Sequence, residues 1–233
     1  MEKYSVLMSV YYKEKPEYLK QSINSIINQT IMPDEIVIVK DGPLTNELEE
    51  VLDEFLAKYP GLFNVIISEN NIGLGQALNL GLRHCKNELV ARMDTDDIAK
   101  PDRCEKQLKV FEENPDLDLL GSSVDEFHGT PNNIISRRTV PTKHKDIYEF
   151  AKRRSAFNHP TVMYKKSKVL SVGGYSDMRR NQDVDLFGRM LFYGCISGNI
   201  EESLLYYRTN DLLAKRRKSW ENSKSYISTI KKF

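Results

Sequence analysis

Three aspartates with the spacing of a metal site lie in the segment Asp94-Thr95-Asp96-Asp97. Carboxylates this close together repel one another unless a cation lies among them. Hard oxygen ligands of this kind suit Mg²⁺ or Mn²⁺. The alternative is a solvated turn that helps to cap the helix predicted to begin near Pro101, because aspartate is common in both roles. The position directly after a predicted buried strand favours the metal site.

Two further groups are predicted at the same edge of a sheet. Tyr11 follows a predicted strand at residues 6–10, and Asp41 follows a predicted strand at residues 35–39. In an open parallel sheet, ligands bind beyond the carboxyl ends of the strands, where loops leave for the helices. We therefore expect Tyr11, Asp41 and the acidic segment to border one crevice. Taken singly, Tyr11 is explained as a core or rim aromatic and Asp41 as a turn residue.

A fourth candidate, Asp183, lies in the first turn of a helix predicted over residues 183–193. The helix dipole favours a carboxylate there, so helix stabilisation explains the position as well as catalysis does. Gly73 and Gly75 resemble the start of a dinucleotide-binding fingerprint, but Leu78 replaces its third glycine and the segment follows the third strand. Gly73 is instead predicted to be a left-handed turn residue ahead of a helix. The sequence contains neither a P-loop motif nor a His-Glu-x-x-His motif.

Short β-branched runs alternate with segments of helical period, which predicts βαβ units and a largely parallel sheet. In the first half the predicted strands are 6–10, 35–39, 63–67 and 88–93, and the predicted helices are 17–28, 44–58 and one that follows Gly73. In the second half the predicted strands are 117–120, 124–127, 134–138 and 161–164, and the predicted helices are 143–152 and 183–193. We find no linker, and we predict one domain at residues 1–214, with halves at 1–114 and 115–214.

The composition excludes several classes of protein. With 233 residues, 40% of them apolar, the chain can bury a core without a metal or disulfide staple. The net charge of +1 argues against nucleic acid as the main partner. The three cysteines have no metal-binding spacing, which indicates a reducing, cytoplasmic compartment. The first eight residues carry a charge pair and then only a short apolar run, and no run of about 18 apolar residues occurs, so we expect neither a cleaved signal peptide nor a helix that spans a bilayer.

Five motifs together resemble those of family 2 glycosyltransferases with the GT-A fold. They are, in order, Ser5–Tyr11, Val39–Gly42, Asn71–Leu74, Met93–Asp97 and Gln182–Leu186. His159–Met163 and Gly173–Tyr175 are similar to the bacterial surface-polysaccharide branch of that family. The resemblance covers about residues 4–210. It implies an α/β fold with a Rossmann-like, mostly parallel sheet, a nucleotide-sugar half and a smaller acceptor-side region.

The resemblance also implies roles for individual residues on the donor side. Tyr11 would pack near the nucleotide base, Asp41 would accept a hydrogen bond from uracil, and Asp94 would lie by the ribose. Asp96 would hold the Mn²⁺ or Mg²⁺ that bridges the diphosphate, and Gly73 would also belong to the donor site. These roles favour a UDP-sugar as the donor.

The family's catalytic base is usually the aspartate of a Glu-Asp pair, and here the pair is Gln182-Asp183. The resemblance therefore implies that Asp183 takes the proton from an acceptor hydroxyl and that the transfer inverts the anomeric configuration. His159 and Gly174 are expected to shape the acceptor side. The sequence has no Gln-x-x-Arg-Trp motif. We therefore expect a single transfer to a saccharide or lipid-linked saccharide rather than processive synthesis.

Two alternatives stay open, a nucleotidyltransferase that makes sugar nucleotides and a sugar-nucleotide-binding module without activity. The first normally needs a loop rich in glycine and arginine after the first strand, which Tyr11-Tyr12-Lys13-Glu14 does not resemble. The presence of Asp183 argues against the second. The basic tail at residues 215–233 has the pattern of a helix that lies on an anionic membrane surface, and equally that of a helix packed on the domain. The first pattern predicts peripheral contact with the inner face of the cell membrane.

Overall fold

In the computed structural model, which describes residues 2–209 and 228–229, the first half of the chain forms a parallel sheet. Its strands are β1 (Tyr4–Val10), β2 (Glu35–Asp41), β3 (Phe63–Ser68) and β4 (Leu89–Arg92). The connecting helices are α1 (Pro16–Ile27), α2 (Asn46–Lys58) and α3 (Leu74–His84). The strands and helices predicted for this part are confirmed, and their ends agree to within two residues.

Local sequence explains why these elements form. Successive residues of β1 face opposite sides of the sheet, so Val6 packs with α1 and α2 whereas Leu7 packs with α3. Pro16 begins α1, where the missing backbone N–H costs nothing. The side chain of Thr45 caps α2 by accepting a hydrogen bond from the backbone N–H of Leu48 at 3.4 Å.

The second half extends the same sheet. Its strands are β5 (Ile98–Ala99), β6 (Leu117–Phe127), β7 (Ile134–Arg138), β8 (Met163–Lys165) and β9 (Ile196–Arg208). Its helices are α4 (Arg103–Glu113), α5 (His144–Ala151), α6 (Lys166–Ser171) and α7 (Gln182–Phe192). The strands lie in the order β3-β2-β1-β4-β8-β6-β9-β5, with β7 beside β6. One sheet therefore runs through both halves.

Helices cover both faces of this sheet. Helices α1, α2 and α4 contribute to the hydrophobic core on one face, and α3, α5, α6 and α7 contribute to the core on the other. Every antiparallel pair of described strands includes a strand of the second half. The predicted α/β fold class is confirmed.

The strand predictions were wrong at several places in the second half. The strands predicted at 117–120 and 124–127 form one strand, β6. Its backbone lies so close to β9 that a Cβ at Gly121 would lie 2.3 Å from Oδ1 of Asn199. The strand predicted at 161–164 begins only at Met163, because residues 159–161 form a 3₁₀ turn. Strands β5 and β9 and helix α6 were not predicted.

Buried polar residues explain why β9 was missed. Ser197, Asn199 and Ser203 are buried in it and interrupt the apolar pattern of a core strand. Long-range hydrogen bonds satisfy the side-chain N–H groups of Asn199, since its Nδ2 donates to the carbonyl oxygens of Pro141 at 2.7 Å and Ala156 at 3.0 Å. Such partners are not visible in a local sequence pattern.

The membrane predictions concern mainly residues that the structure does not describe. Within residues 2–209 and 228–229, no helix has the length and apolar character needed to cross a membrane. The basic tail at 215–233 lies outside the described residues except for positions 228 and 229. Its contact with a membrane stays a prediction.

Candidate functional site

Asp94, Asp96 and Asp97, here called the acidic cluster, follow the carboxyl end of β4. One carboxylate oxygen of each lies within 4.8 Å of those of the other two. Asp97 is only 1% exposed, and its Oδ2 has no hydrogen-bond partner among the described residues. A solvated turn would leave these carboxylates in water, whereas a buried carboxylate oxygen without a partner is costly. The geometry therefore favours a cation site.

Burial and mutual repulsion raise the pKa values in the acidic cluster. Burial, together with the negative charges of Asp94 and Glu14, raises the pKa of Asp96 to about 7. Burial and the charges of Asp96 and Asp94 raise the pKa of Asp97 well above its ordinary value. A divalent cation would relieve this repulsion, because it binds carboxylates in their ionised form.

A buried arginine faces the acidic cluster and was not identified from the sequence. Arg92 is 1% exposed and forms an ion pair with Asp94. Its Nε and Nη1 donate to no group among the described residues. An arginine at the end of the buried strand β4 was the signal that could have identified it, because a buried cation usually has a specific partner.

Arg208 fixes the turn that carries the acidic cluster. Its backbone N–H donates to Oδ1 of Asp97 at 2.8 Å, and its Nε donates to the backbone carbonyl of Asp96 at 2.7 Å. The guanidinium group lies 3.9 Å from the centre of the Tyr18 ring and 4.6 Å from that of Phe127. Sequence analysis missed Arg208 because it lies at the end of β9, which was not predicted.

Asp41 holds the loop that leads into α3. Its Oδ1 accepts a hydrogen bond from the backbone N–H of Ile72 at 2.7 Å, and its Oδ2 accepts one from that of Gly73 at 3.2 Å. Nδ2 of Asn71 also donates to Oδ2 of Asp41, at 3.1 Å. Gly73 has a φ of +86°, which confirms the prediction that this position suits glycine. The predicted donor residues Asp41 and Gly73 are therefore in direct contact.

Asp183 lies in the first turn of α7, close to the beginning of α3. The two helices approach so closely that a Cβ at Gly75 would lie 3.4 Å from Cγ of Gln182. Burial raises the pKa of Asp183, and the charge of Asp94 adds to this effect. Hydrogen bonds from backbone N–H groups and the charge of Arg92 oppose it. The carboxylate of Asp183 thus lies within electrostatic range of the acidic cluster.

His159 and Gly174, the predicted acceptor-side residues, are joined through Tyr175. Nε2 of His159 lies 2.9 Å from the Tyr175 hydroxyl oxygen. The Asn79 side chain accepts a hydrogen bond from the Tyr175 backbone N–H and donates one to its carbonyl, each at 2.7 Å. Gly174 has a φ of +68°, and a Cβ there would lie 2.4 Å from Oδ1 of Asn79. Burial and the charge of Arg92 lower the pKa of His159 well below its ordinary value, so the imidazole is neutral at pH 7.

Tyr11 follows β1 at the same edge of the sheet and is 41% exposed. Its ring meets that of Tyr12 edge to face at 5.9 Å. Glu14, in the same segment, accepts a hydrogen bond from Oγ1 of Thr95 at 2.6 Å. This contact ties the segment after β1 to the acidic cluster. Glu14 was not predicted, and no local pattern distinguishes it from other surface glutamates.

Comparison with known proteins gives matches along most of the chain. The family model Glycosyl transferase family 2 matches residues 5–174. The amylovoran biosynthesis glycosyltransferase AmsE of Erwinia amylovora is 38% identical over 224 residues, which cover 96% of this chain and 83% of AmsE. An Escherichia coli protein named UDP-Gal:alpha-D-GlcNAc-diphosphoundecaprenol beta-1,3-galactosyltransferase is 39% identical over 215 residues, which cover 92% of this chain and 77% of that protein.

Solved structures resemble this chain in fold. The crystal structure of S. aureus TarS 1–349 in complex with UDP has a TM-score of 0.72 at 18% identity, and the match covers 98% of this chain. The chain spans 64% of that fragment and 37% of a longer TarS chain. At this identity the likeness concerns the fold alone.

Proposed function

The chain belongs to glycosyl transferase family 2, and from that premise we propose that it transfers a single sugar from a UDP-sugar to an acceptor in surface polysaccharide synthesis. AmsE is named for amylovoran biosynthesis, and the E. coli relative is named for a UDP-Gal donor and a lipid-diphosphate acceptor. Both relatives match more than nine-tenths of this chain. Their names support a UDP-sugar donor and a lipid-linked saccharide acceptor here.

A divalent cation fits the acidic cluster. The proposed ligand is Asp96, with the unpartnered Oδ2 of Asp97 and the carboxylate of Asp94 beside it. The donor set consists of oxygens only, which suits Mn²⁺ or Mg²⁺. When bound, such an ion would neutralise charge on the diphosphate leaving group.

The donor nucleotide would lie between Tyr11 and Asp41. A carboxylate offers about four lone-pair positions, and the 71–73 loop already uses three carboxylate contacts of Asp41. The remaining position would accept the N–H of uracil. Asp41 would then both hold the loop and recognise the base, while the exposed ring of Tyr11 packs against the nucleotide.

Asp183 would act as the general base of an inverting transfer. As the acceptor oxygen bonds to the anomeric carbon, its proton passes to the Asp183 carboxylate. The bond from that carbon to the diphosphate oxygen breaks on the opposite face, and UDP leaves. The raised pKa of Asp183 strengthens it as a base compared with an ordinary aspartate. His159 and Gly174 would support the acceptor side through Tyr175.

The single observation that carries this proposal is the meeting of the acidic cluster, the 71–73 loop and Asp183 at one edge of the sheet. It is tested by titration calorimetry of UDP with and without Mn²⁺. We expect binding that requires Mn²⁺ in the wild type and in Asp53→Ala, whose side chain is exposed on α2. We expect no such binding in Asp96→Ala. UDP that binds equally well without metal, or equally well to Asp96→Ala, would contradict the assignment.

A further inference from the structure

An apolar groove runs along the outer side of α7, beginning one residue after Asp183. Helix α5 and the segment after it form the opposite wall. The groove, here called the α5–α7 groove, is lined on its apolar sides by Tyr148, Phe157, Val184, Phe187, Leu191 and Phe192. From Val184 to Phe192 the helix rises about 12 Å at 1.5 Å per residue. The groove therefore leads directly away from the proposed catalytic base.

The floor of the groove is linked to the acceptor side. Phe187 is 3% exposed, and its ring centre lies 5.9 Å from that of His159 and 5.2 Å from that of Phe157. Asp183 and Phe187 are four residues apart on α7, so they occupy the same side of the helix. A molecule in the groove would thus have one end beside Asp183.

The far end of the groove is open and aromatic. Phe192 is 60% exposed, and its ring meets that of Tyr193, itself 68% exposed, edge to face at 5.4 Å. Tyr148 on α5 is also exposed at this rim. Contiguous exposed apolar patches of this kind mark binding surfaces.

Basic residues border the same groove. Lys152 and Arg154 line it, and Arg153 lies between them in the sequence. Lys152 bonds to Glu149, but neither arginine pairs with a carboxylate in the described part of the chain. Arginine recognises diphosphate oxygens through paired N–H groups. The groove therefore combines apolar walls with one cation, Arg154, that has no carboxylate partner in the described part of the chain, and an apolar molecule with an anionic end group complements both features.

We propose that the α5–α7 groove binds the acceptor lipid, a polyprenyl diphosphate, with the isoprenoid chain in the slot and the diphosphate beside Arg154. This inference rests on the proposed function and adds the site where the acceptor binds. The sugar attached to the diphosphate would extend toward Asp183, while the rest of the chain leaves at the Phe192 rim. Because apolar burial would hold the lipid, its binding requires neither UDP nor a metal ion.

The test uses farnesyl diphosphate as the probe, with calorimetry in EDTA so that no metal draws the diphosphate to the acidic cluster. Inorganic diphosphate and farnesol are the comparison probes. We expect farnesyl diphosphate to bind at least about tenfold more tightly than either one. Arg154→Gln should weaken its binding about tenfold, the typical effect of losing a charged hydrogen bond. Phe192→Ser should also weaken it.

Matched controls separate the groove from general surface effects. Arg83→Gln changes an exposed arginine on α3, and Ile135→Ser changes an apolar side chain of β7 that is 57% exposed, so neither should alter binding. Vesicles with and without anionic lipid are titrated in parallel. Variants that lose vesicle binding but keep farnesyl diphosphate binding would overturn the proposal in favour of a membrane-docking patch.

The remaining outcomes also decide between the two proposals. If farnesyl diphosphate does not bind to protein that still binds UDP with Mn²⁺, the groove proposal fails and the proposed function stands. If neither molecule binds to folded protein, the proposed function itself fails. Equal binding of farnesyl diphosphate to wild type, Arg154→Gln and Phe192→Ser would overturn the groove as the site.

Discussion

The charge on Asp96 should destabilise the metal-free protein at neutral and alkaline pH. In the folded chain, the pKa of Asp96 is raised from 3.8 to about 7 by burial and by the negative charges of Asp94 and Glu14. Between these pH values the folded state binds a proton that the unfolded state has lost. Stability from this group is therefore lost as the pH rises through the folded-state pKa. Replacing Asp96 by asparagine keeps the shape and removes the charge.

The size of the effect follows from the pH window. Each pH unit over which the folded and unfolded states differ by one bound proton corresponds to about 1.36 kcal/mol. The window from 3.8 to about 7 therefore gives an upper limit of about 4 kcal/mol for the loss of stability. Asp94 and Asp97 still repel each other after Asp96 is replaced, so the substitution recovers only part of this free energy. We expect Asp96→Asn to raise the free energy of unfolding by roughly 2–3 kcal/mol at pH 8. At pH 4 it should change little.

Urea unfolding at pH 4 and pH 8, with EDTA or with Mn²⁺, measures this prediction. Mn²⁺ should stabilise the wild type more at pH 8 than at pH 4, because it binds ionised carboxylates. It should stabilise Asp96→Asn much less. The exposed control Asp53→Asn should follow the wild type in all four conditions. If Asp96→Asn is no more stable than the wild type at pH 8 in EDTA, the repulsion inferred from the geometry is refuted.

Three further predictions concern the base, the donor loop and the acceptor turn. Asp183→Asn should lower sugar transfer by about 10²–10⁴-fold without changing UDP affinity, as measured by radiolabelled transfer and calorimetry. Asp41→Ala leaves the backbone N–H groups of the 71–73 loop without an acceptor, so urea unfolding should show a loss of about 1–3 kcal/mol. In Gly174→Ala the new Cβ would be strained by the positive φ and would clash with Oδ1 of Asn79, so the free energy of unfolding should fall by more than about 1 kcal/mol. Undiminished sugar transfer by Asp183→Asn, or an unchanged free energy of unfolding for Asp41→Ala or Gly174→Ala, would contradict the corresponding prediction.

The buried charge of Arg92 partly compensates the carboxyl groups that lie at one edge of the sheet. Arg92 is buried against Asp94, and its charge opposes the rise in pKa at Asp96, Asp97 and Asp183. It does not cancel that rise, because burial remains the largest cause at each of the three carboxyls. A bound cation and the donor diphosphate would bring further charge of both signs. The charges at this edge of the sheet are therefore better compensated when a ligand is bound than in the empty protein.

Local chemistry made the first half of the fold predictable. Strands β1 to β4 are short segments rich in apolar residues, and the turns between elements contain Asp-Gly, Pro-Gly and Asn-Ile-Gly segments. The acidic cluster was predictable for the same reason, because its three residues are neighbours in the sequence. The resemblance to the family rested on short motifs of this kind, and it correctly indicated the family to which the chain belongs.

Tertiary structure alone decided the second half and the environment of the site. Strand β9 exists because its buried polar groups find partners far away in the sequence, such as the carbonyl of Pro141 for Asn199. Arg208 reaches the acidic cluster across more than a hundred residues. Sequence periodicity indicates which side of a helix or strand is apolar, but it does not indicate which distant polar groups will form hydrogen bonds or ion pairs. The pairing of Arg92 with Asp94, the buried oxygen of Asp97 and the α5–α7 groove arise only when the chain has packed.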